Sequence, residues 1–181
     1  MQHFGCHLSI SRGFAAMADT AQTLGADTFQ FFTRNPRGGA ARAIDPEDAA
    51  VLRARQREGV IVPVVAHAPY TVNPCAKEDK TLEFARQTMA DDLRRLEQLP
   101  GNFYNFHPGS HVGQGIETGL QRVAGTLDAV MFEGQKTVVL LETMAGKGTE
   151  VGGRFEELRG IVARTARPEL LGVCLDTCHV H

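Results

Sequence analysis

Cysteine is scarce in this chain, and what there is excludes a disulfide-built protein. Cys6, Cys75, Cys174 and Cys178 are spread over 181 residues with no CxxC pair, too few and too irregular for a secreted disulfide scaffold. Long hydrophobic runs are missing as well. None approaches the ~18 apolar residues of a membrane span, and Met1–Ile10 lacks the charged and apolar regions of a signal peptide. The expectation is therefore a cytoplasmic setting with no membrane partner. An excess of one charge is also absent: 19 Lys and Arg stand against 21 Asp and Glu, for a net charge of −2. Bulk electrostatics thus do not announce a nucleic-acid binder. Bound divalent cations would reshape the local field whatever the net charge, so this balance is only weak evidence against a DNA substrate.

What is present is an alternation of strand and helix. His3–Leu8, Thr28–Phe32, Val60–Ala66, Asn102–Phe106, Thr137–Leu141 and Leu170–Leu175 are short runs rich in apolar residues, and are expected to be strands. Between them, Gly13–Leu24 is rich in alanine, and Asp45-Pro46-Glu47 supplies a cap, a first-turn proline and an early carboxylate for a helix ending at Gly59. Lys77–Leu99 places Leu82, Ala85, Met89, Leu93 and Leu96 three or four apart, and Pro100-Gly101 stops it. Ile116–Phe132 carries a similar stripe at Leu120, Val123, Leu127 and Val130, and Arg154–Ala166 is the fifth helix. Asn35–Ala41 is a loop by its Pro and Gly content. Six strands alternating with five helices and no linker predict one domain, residues 1–181, of parallel α/β architecture.

Four of the strands end at a residue able to bind a metal: His67, His107, Glu142 and Asp176, at intervals of 40, 35 and 34 residues. That interval is about one strand-plus-helix unit, and in a parallel barrel all strand C-termini open on one face. Each residue also has an ordinary explanation. A lone His at a strand end is commonly a hydrogen-bonded structural residue, Asp176 could cap a helix, and the cysteines could be small buried hydrophobes. His107 and His111 share the tight loop NFHPGSH, and Glu142 follows VVLL, where burial of a carboxylate is costly without a compensating cation. Asp176 and His179 lie in CLDTCHVH, dense in ligand types. Separate explanations must put every one of these at a strand's C-terminal end by coincidence. A metal site explains them together, since His, Glu and Asp are a usual zinc set and a carboxylate can bridge two metals.

NFHPGSH (residues 105–111), LETMAGKGTEVG (residues 141–152) and CLDTCHVH (residues 174–181) closely resemble segments of the endonuclease IV family. GCHLS (residues 5–9) and FFTRNPR (residues 31–37) resemble its first two strand ends, so the resemblance covers the chain in order. It implies a TIM (β/α)8 barrel, here about six of eight βα units, since 181 residues are short of the ~250 typical of the whole. It implies a zinc-dependent endonuclease of base excision repair, hydrolysing the phosphodiester 5′ to abasic sites in double-stranded DNA with a zinc-activated water, and monomeric at full length. By motif match His67, His107 and Glu142 would hold one zinc, Glu142 would bridge to a second and position the nucleophile, Asp176 would serve the second and His179 a third. Arg37 and Tyr70 match residues that enter the DNA at the lesion, although the family often has Gln and an aromatic where this chain has Gly38 and Gly39. Related proteins continue through two more units that supply four further ligands. The expectation for these 181 residues is a truncated form with fewer than three zincs and reduced or no incision. Two other expectations compete: a metal-dependent sugar isomerase or epimerase on a related barrel, and an inactive metal-binding fragment. The ligand types accept manganese as well as zinc.

Overall fold

Every strand finds its partner in the next strand along the chain. The computed structural model describes residues 2–180. Its elements run β1 (Gly5–His7), α1 (Gly13–Thr23), β2 (Thr28–Phe32), α2 (Pro46–Arg57), β3 (Val65–His67), α3 (Asp79–Leu96), β4 (Phe103–Phe106), α4 (Ile116–Val130), β5 (Val138–Glu142), α5 (Phe155–Arg164) and β6 (Leu171–Cys174). Single 3₁₀ turns, Ile10–Arg12 and Pro168–Leu170, precede α1 and β6. The six strands form one sheet in the order β1 to β6, and each neighbouring pair is parallel. A six-strand parallel sheet with a helix after each of the first five strands is a partial TIM barrel, as expected.

Alternation along the strands separates two faces. Phe29, Phe31, Ala66, Tyr104, Phe106, Val139 and Leu141 are all buried on the helix side. Phe31 meets Phe14 of α1 edge-on at 5.6 Å, and the Tyr104 hydroxyl donates to Asp92 of α3 at 3.0 Å. The other face carries a continuous row in register, Phe32, His67, Asn105, Leu140 and Gly172. The helical stripes read from the sequence are buried against the sheet: Leu82, Ala85, Met89, Leu93 and Leu96 on α3, and Leu120, Val123, Leu127 and Val130 on α4.

Local chemistry sets the helix starts. Asp45 accepts from the Glu47 amide at 3.0 Å with Pro46 in the first turn. α1 has no cap of its own. Its Phe14 and Ala15 amides donate instead to Asp48 of α2 at 2.5 and 2.9 Å, so a carboxylate from the neighbouring helix satisfies the exposed N–H groups.

The third strand corrects the sequence-based expectation. Val60–Val64 does not join the sheet, because the Val60 and Ile61 amides remain bonded to Arg55 at the end of α2 and Pro63 has no N–H. The Val64 amide donates to the Asn102 side chain at 2.8 Å. Pairing begins only at Val65, so His67 lies inside β3 rather than just past it, and Glu142 likewise closes β5. Leu170 falls in a 3₁₀ turn, Leu175 lies beyond β6, and α3 is shorter than expected at both ends. Among the described residues no helix is long and apolar enough to cross a membrane.

Candidate metal centre

At the C-terminal edge of the sheet, β3, β4 and β5 deliver His67, His107 and Glu142 to one point, their ligand atoms within 4.8 Å of one another. Glu142, Asp176 and His179 make a second group by the same measure, sharing the carboxylate. All five metal-ligand candidates therefore converge. His67 and Glu142 are 5% and 4% exposed, while His107, Asp176 and His179 are half-buried, so the cluster has a closed floor and an open side.

Hydrogen bonds fix the imidazoles. The ring Nδ1 of His67 lies 2.6 Å from the Ala68 carbonyl, which can only accept, so the proton is on Nδ1 and the Nε2 lone pair is free. That Nε2 faces Glu142 Oε2 at 3.2 Å. The other carboxylate oxygen, Oε1, lies 3.3 Å from His107 Nε2 and 3.4 Å from His179 Nδ1. His179 Nδ1 in turn lies 2.8 Å from the Thr143 carbonyl, leaving its Nε2 free. Burial opposes a charge on Glu142, but the neighbouring imidazoles of His107 and His67 and a hydrogen bond from Asn105 outweigh it and hold the carboxyl well below its usual range. A bare imidazole nitrogen and a carboxylate oxygen face to face need a proton or a cation between them. The donor set thus fits a bound divalent metal, with the second ring nitrogen of His67 anchored as such ligands require.

Asp176 does two things. Its Oδ1 accepts from the Cys178 and His179 amides at 2.7 and 3.2 Å, the cap-like role allowed as its ordinary explanation. Its Oδ2 remains directed at His179 Nδ1, 3.5 Å away. Thr143 ties this turn to β5, since its hydroxyl accepts from the Asp176 amide at 2.9 Å.

His111 stands apart from the cluster: its Nδ1 accepts from the Gly115 amide at 3.2 Å. The NFHPGSH loop owes its path to Gly109, at φ +88°, where a Cβ would collide with the Asn73 side-chain oxygen. Arg37 and Tyr70 lie on adjoining loops, joined where the Tyr70 amide donates to the Pro36 carbonyl at 2.8 Å. Arg37 is exposed, and Tyr70 is 61% exposed with its ring 5.7 Å from that of His107. Gly38 and Gly39 both have positive φ, +90° and +109°, a path open to glycine. The loop is clasped to α3 from both directions. Arg34 donates to Asp92 through Nε at 3.0 Å and Nη2 at 2.6 Å and to Asp91 at 2.6 Å, and Arg95 reaches back to the Arg42 carbonyl at 2.7 Å.

Two inner-face residues were not singled out from the sequence as site residues, Asn105 and His7. The available signal was alternation: Asn105 stands two before His107 and therefore shares its face. His7, on β1, packs its ring 4.8 Å from that of Phe32, and burial, with the neighbouring His67 imidazole, lowers its pKa.

The fold and this site meet their counterparts among known proteins. The pattern of the xylose isomerase-like TIM barrel family matches residues 18–181, and the chain belongs to that family. Within it, the resemblance to endonuclease IV holds across the chain. It is 54% identical over 181 residues to a protein of Akkermansia muciniphila named Probable endonuclease 4, covering all of this chain and 65% of that protein. Its namesake in Clostridium botulinum (strain Alaska E43 / Type E3) is 51% identical over the same span, with the same 65% covered. The crystal structure of endonuclease IV from Thermus thermophilus superposes with a TM-score of 0.83 at 36% identity, over 99% of this chain and 64% of that one. An L-ribulose 3-epimerase structure, 15% identical with a TM-score of 0.74 over 99% of this chain and 62% of that one, shares the fold. The chain thus spans about 65% of the length of the curated relatives it matches.

Proposed function

We propose that these residues form, as a single partial TIM-barrel domain, the metal centre and lesion-facing loops of a zinc-dependent DNA repair endonuclease that cuts 5′ to abasic sites. The observation that carries this reading is the convergence of His67, His107 and Glu142 within 4.8 Å, in a chain about half identical to proteins named Probable endonuclease 4. Zinc, when bound, supplies a Lewis acid for the phosphate and acidifies water at neutral pH. His67, His107 and Glu142 would hold one ion, and Glu142 would be shared with a second. Asp176 Oδ2 and the free nitrogen of His179 would each contribute one ligand toward a second and a third position. Arg37 and Tyr70 would occupy the gap left by the missing base, where extrusion of the nucleotide is least costly. No side chain need act as a nucleophile. A cytoplasmic, monomeric enzyme with duplex DNA as its partner is part of the same reading.

The test uses zinc-loaded protein with two duplex oligonucleotides, one carrying a single tetrahydrofuran lesion, and with ketose sugars. Expected are binding at least about tenfold tighter to the lesion duplex, the size of ~1.4 kcal/mol, and a nick 5′ to the lesion as the product of any turnover. Equal binding to both duplexes without a nick, or turnover of ketoses alone, overturns the proposal.

A further inference from the structure

Beneath the cluster lies a polar side chain outside the usual zinc donors, which are His, Cys, Asp and Glu. Asn105 is 1% exposed, on β4, in register with His67 and on the same face as His107. Its Nδ2 donates a hydrogen bond to Oε2 of Glu142. Its Oδ1 is buried and has no hydrogen-bond partner among the described residues. Turning the amide over would set Oδ1 against a carboxylate oxygen, so Glu142 dictates the orientation that leaves Oδ1 alone. An unpaired buried acceptor costs stability that an apolar side chain would not, which makes Asn105 a poor choice for folding and an informative one beneath a metal cluster.

The need it meets is visible in Glu142. Three imidazoles approach that carboxylate at 3.2, 3.3 and 3.4 Å, and each belongs to a residue whose nitrogens a metal can claim. Asn105 is the neutral donor that stays on Glu142 when a cation takes the imidazoles. We propose that Asn105 is a positioning residue whose amide holds Glu142 with Oε2 toward His67 and Oε1 toward His107 and His179, the pose in which the carboxylate faces every imidazole that would hold a cation. Without that bond the side chain is free to turn away from them. The inference rests on the proposed metal centre and adds a residue that no ligand count includes.

Cobalt(II) is the probe, because its visible absorption reports coordination geometry without any DNA. Asn105→Leu keeps the volume and removes the donor, Asn105→Ala removes both, and Asn105→Asp keeps the shape but replaces the donor with a second carboxylate. Expected in the folded variants are cobalt affinity reduced by about 10–100-fold, a changed visible band, and the largest loss in Asn105→Asp. A folded Leu or Ala variant with wild-type affinity and spectrum overturns the inference. So does failure of all three variants to fold, which would mark Asn105 as structural. A wild-type protein that binds no cobalt removes the metal centre itself and this inference with it, whereas wild-type binding matched by the variants removes the inference alone.

Discussion

Glu142 presents a carboxylate, rather than a neutral side chain, to three imidazoles. Glu142→Gln keeps the shape but offers one acceptor oxygen and no charge, so zinc affinity is expected to fall by more than the ~10–100-fold that loss of an outer partner causes. Competition with a chromophoric chelator reads this, and unchanged affinity contradicts it. Cys75 behaves differently from the ligand candidates. Burial pushes its thiol from an ordinary 9.0 up to about 12, and its Sγ donates to Asn73. The folded state disfavours the thiolate, so this stabilisation is full below about pH 9 and lost as pH rises toward 12. Iodoacetamide at pH 8 should label exposed Cys178 in the native protein and Cys75 only after unfolding, because the thiolate is the nucleophile. Rapid native labelling of Cys75, read by peptide mass, contradicts this. The strand-end ligands were legible because charge and imidazole stand out after an apolar run. Asn105 was less so: alternation puts it on the face of His107, but only register shows that it lies beside Glu142 and His67.

Among the elements, the loop after β2 depends on α3. Asp92 is 0% exposed and meets Arg34, whose side chain is 7% exposed, at 2.6 Å. Burial pushes the Asp92 carboxyl up while Arg34 and Tyr104 pull it down, so its partners are what make the ionised form tolerable. Removing one member of a buried pair strands the other, and Asp92→Ala is expected to lower stability by about 3–5 kcal/mol. Urea unfolding followed by circular dichroism measures it, and a loss under about 1 kcal/mol, the range of an exposed pair, would show the clasp to be idle. Helix positions were legible because 3.6-residue stripes persist over long spans in α3 and α4. The start of β3 was not, because Val60–Val64 has strand composition but its N–H groups are spent on α2, Asp27 and Asn102, partners that composition does not reveal.

For the molecule as a whole, the two ligand groups are not equivalent. The first brings together His67, His107 and Glu142, two of them nearly fully buried, whereas the second reuses Glu142, and one oxygen of Asp176 is already occupied by backbone amides. Zinc retained after dialysis against a mild chelator is therefore expected at about one per chain, the weaker set having only shared or partly occupied donors. Metal analysis showing three retained ions contradicts this. The parallel α/β class was legible in the alternation, since a parallel sheet needs a crossover helix between strands. The sequential barrel order was not, because a doubly wound sheet alternates likewise, and it followed from the strand-end ligands and the family resemblance. The same order has a consequence for how the protein is made. Each strand needs only the one before it, so synthesis from the N-terminus lays the sheet down along a single growing edge. His67, His107 and Glu142 are all in place once β5 has paired, without any contribution from β6 or Asp176. A cation caught there would stabilise a partly formed sheet by mass action.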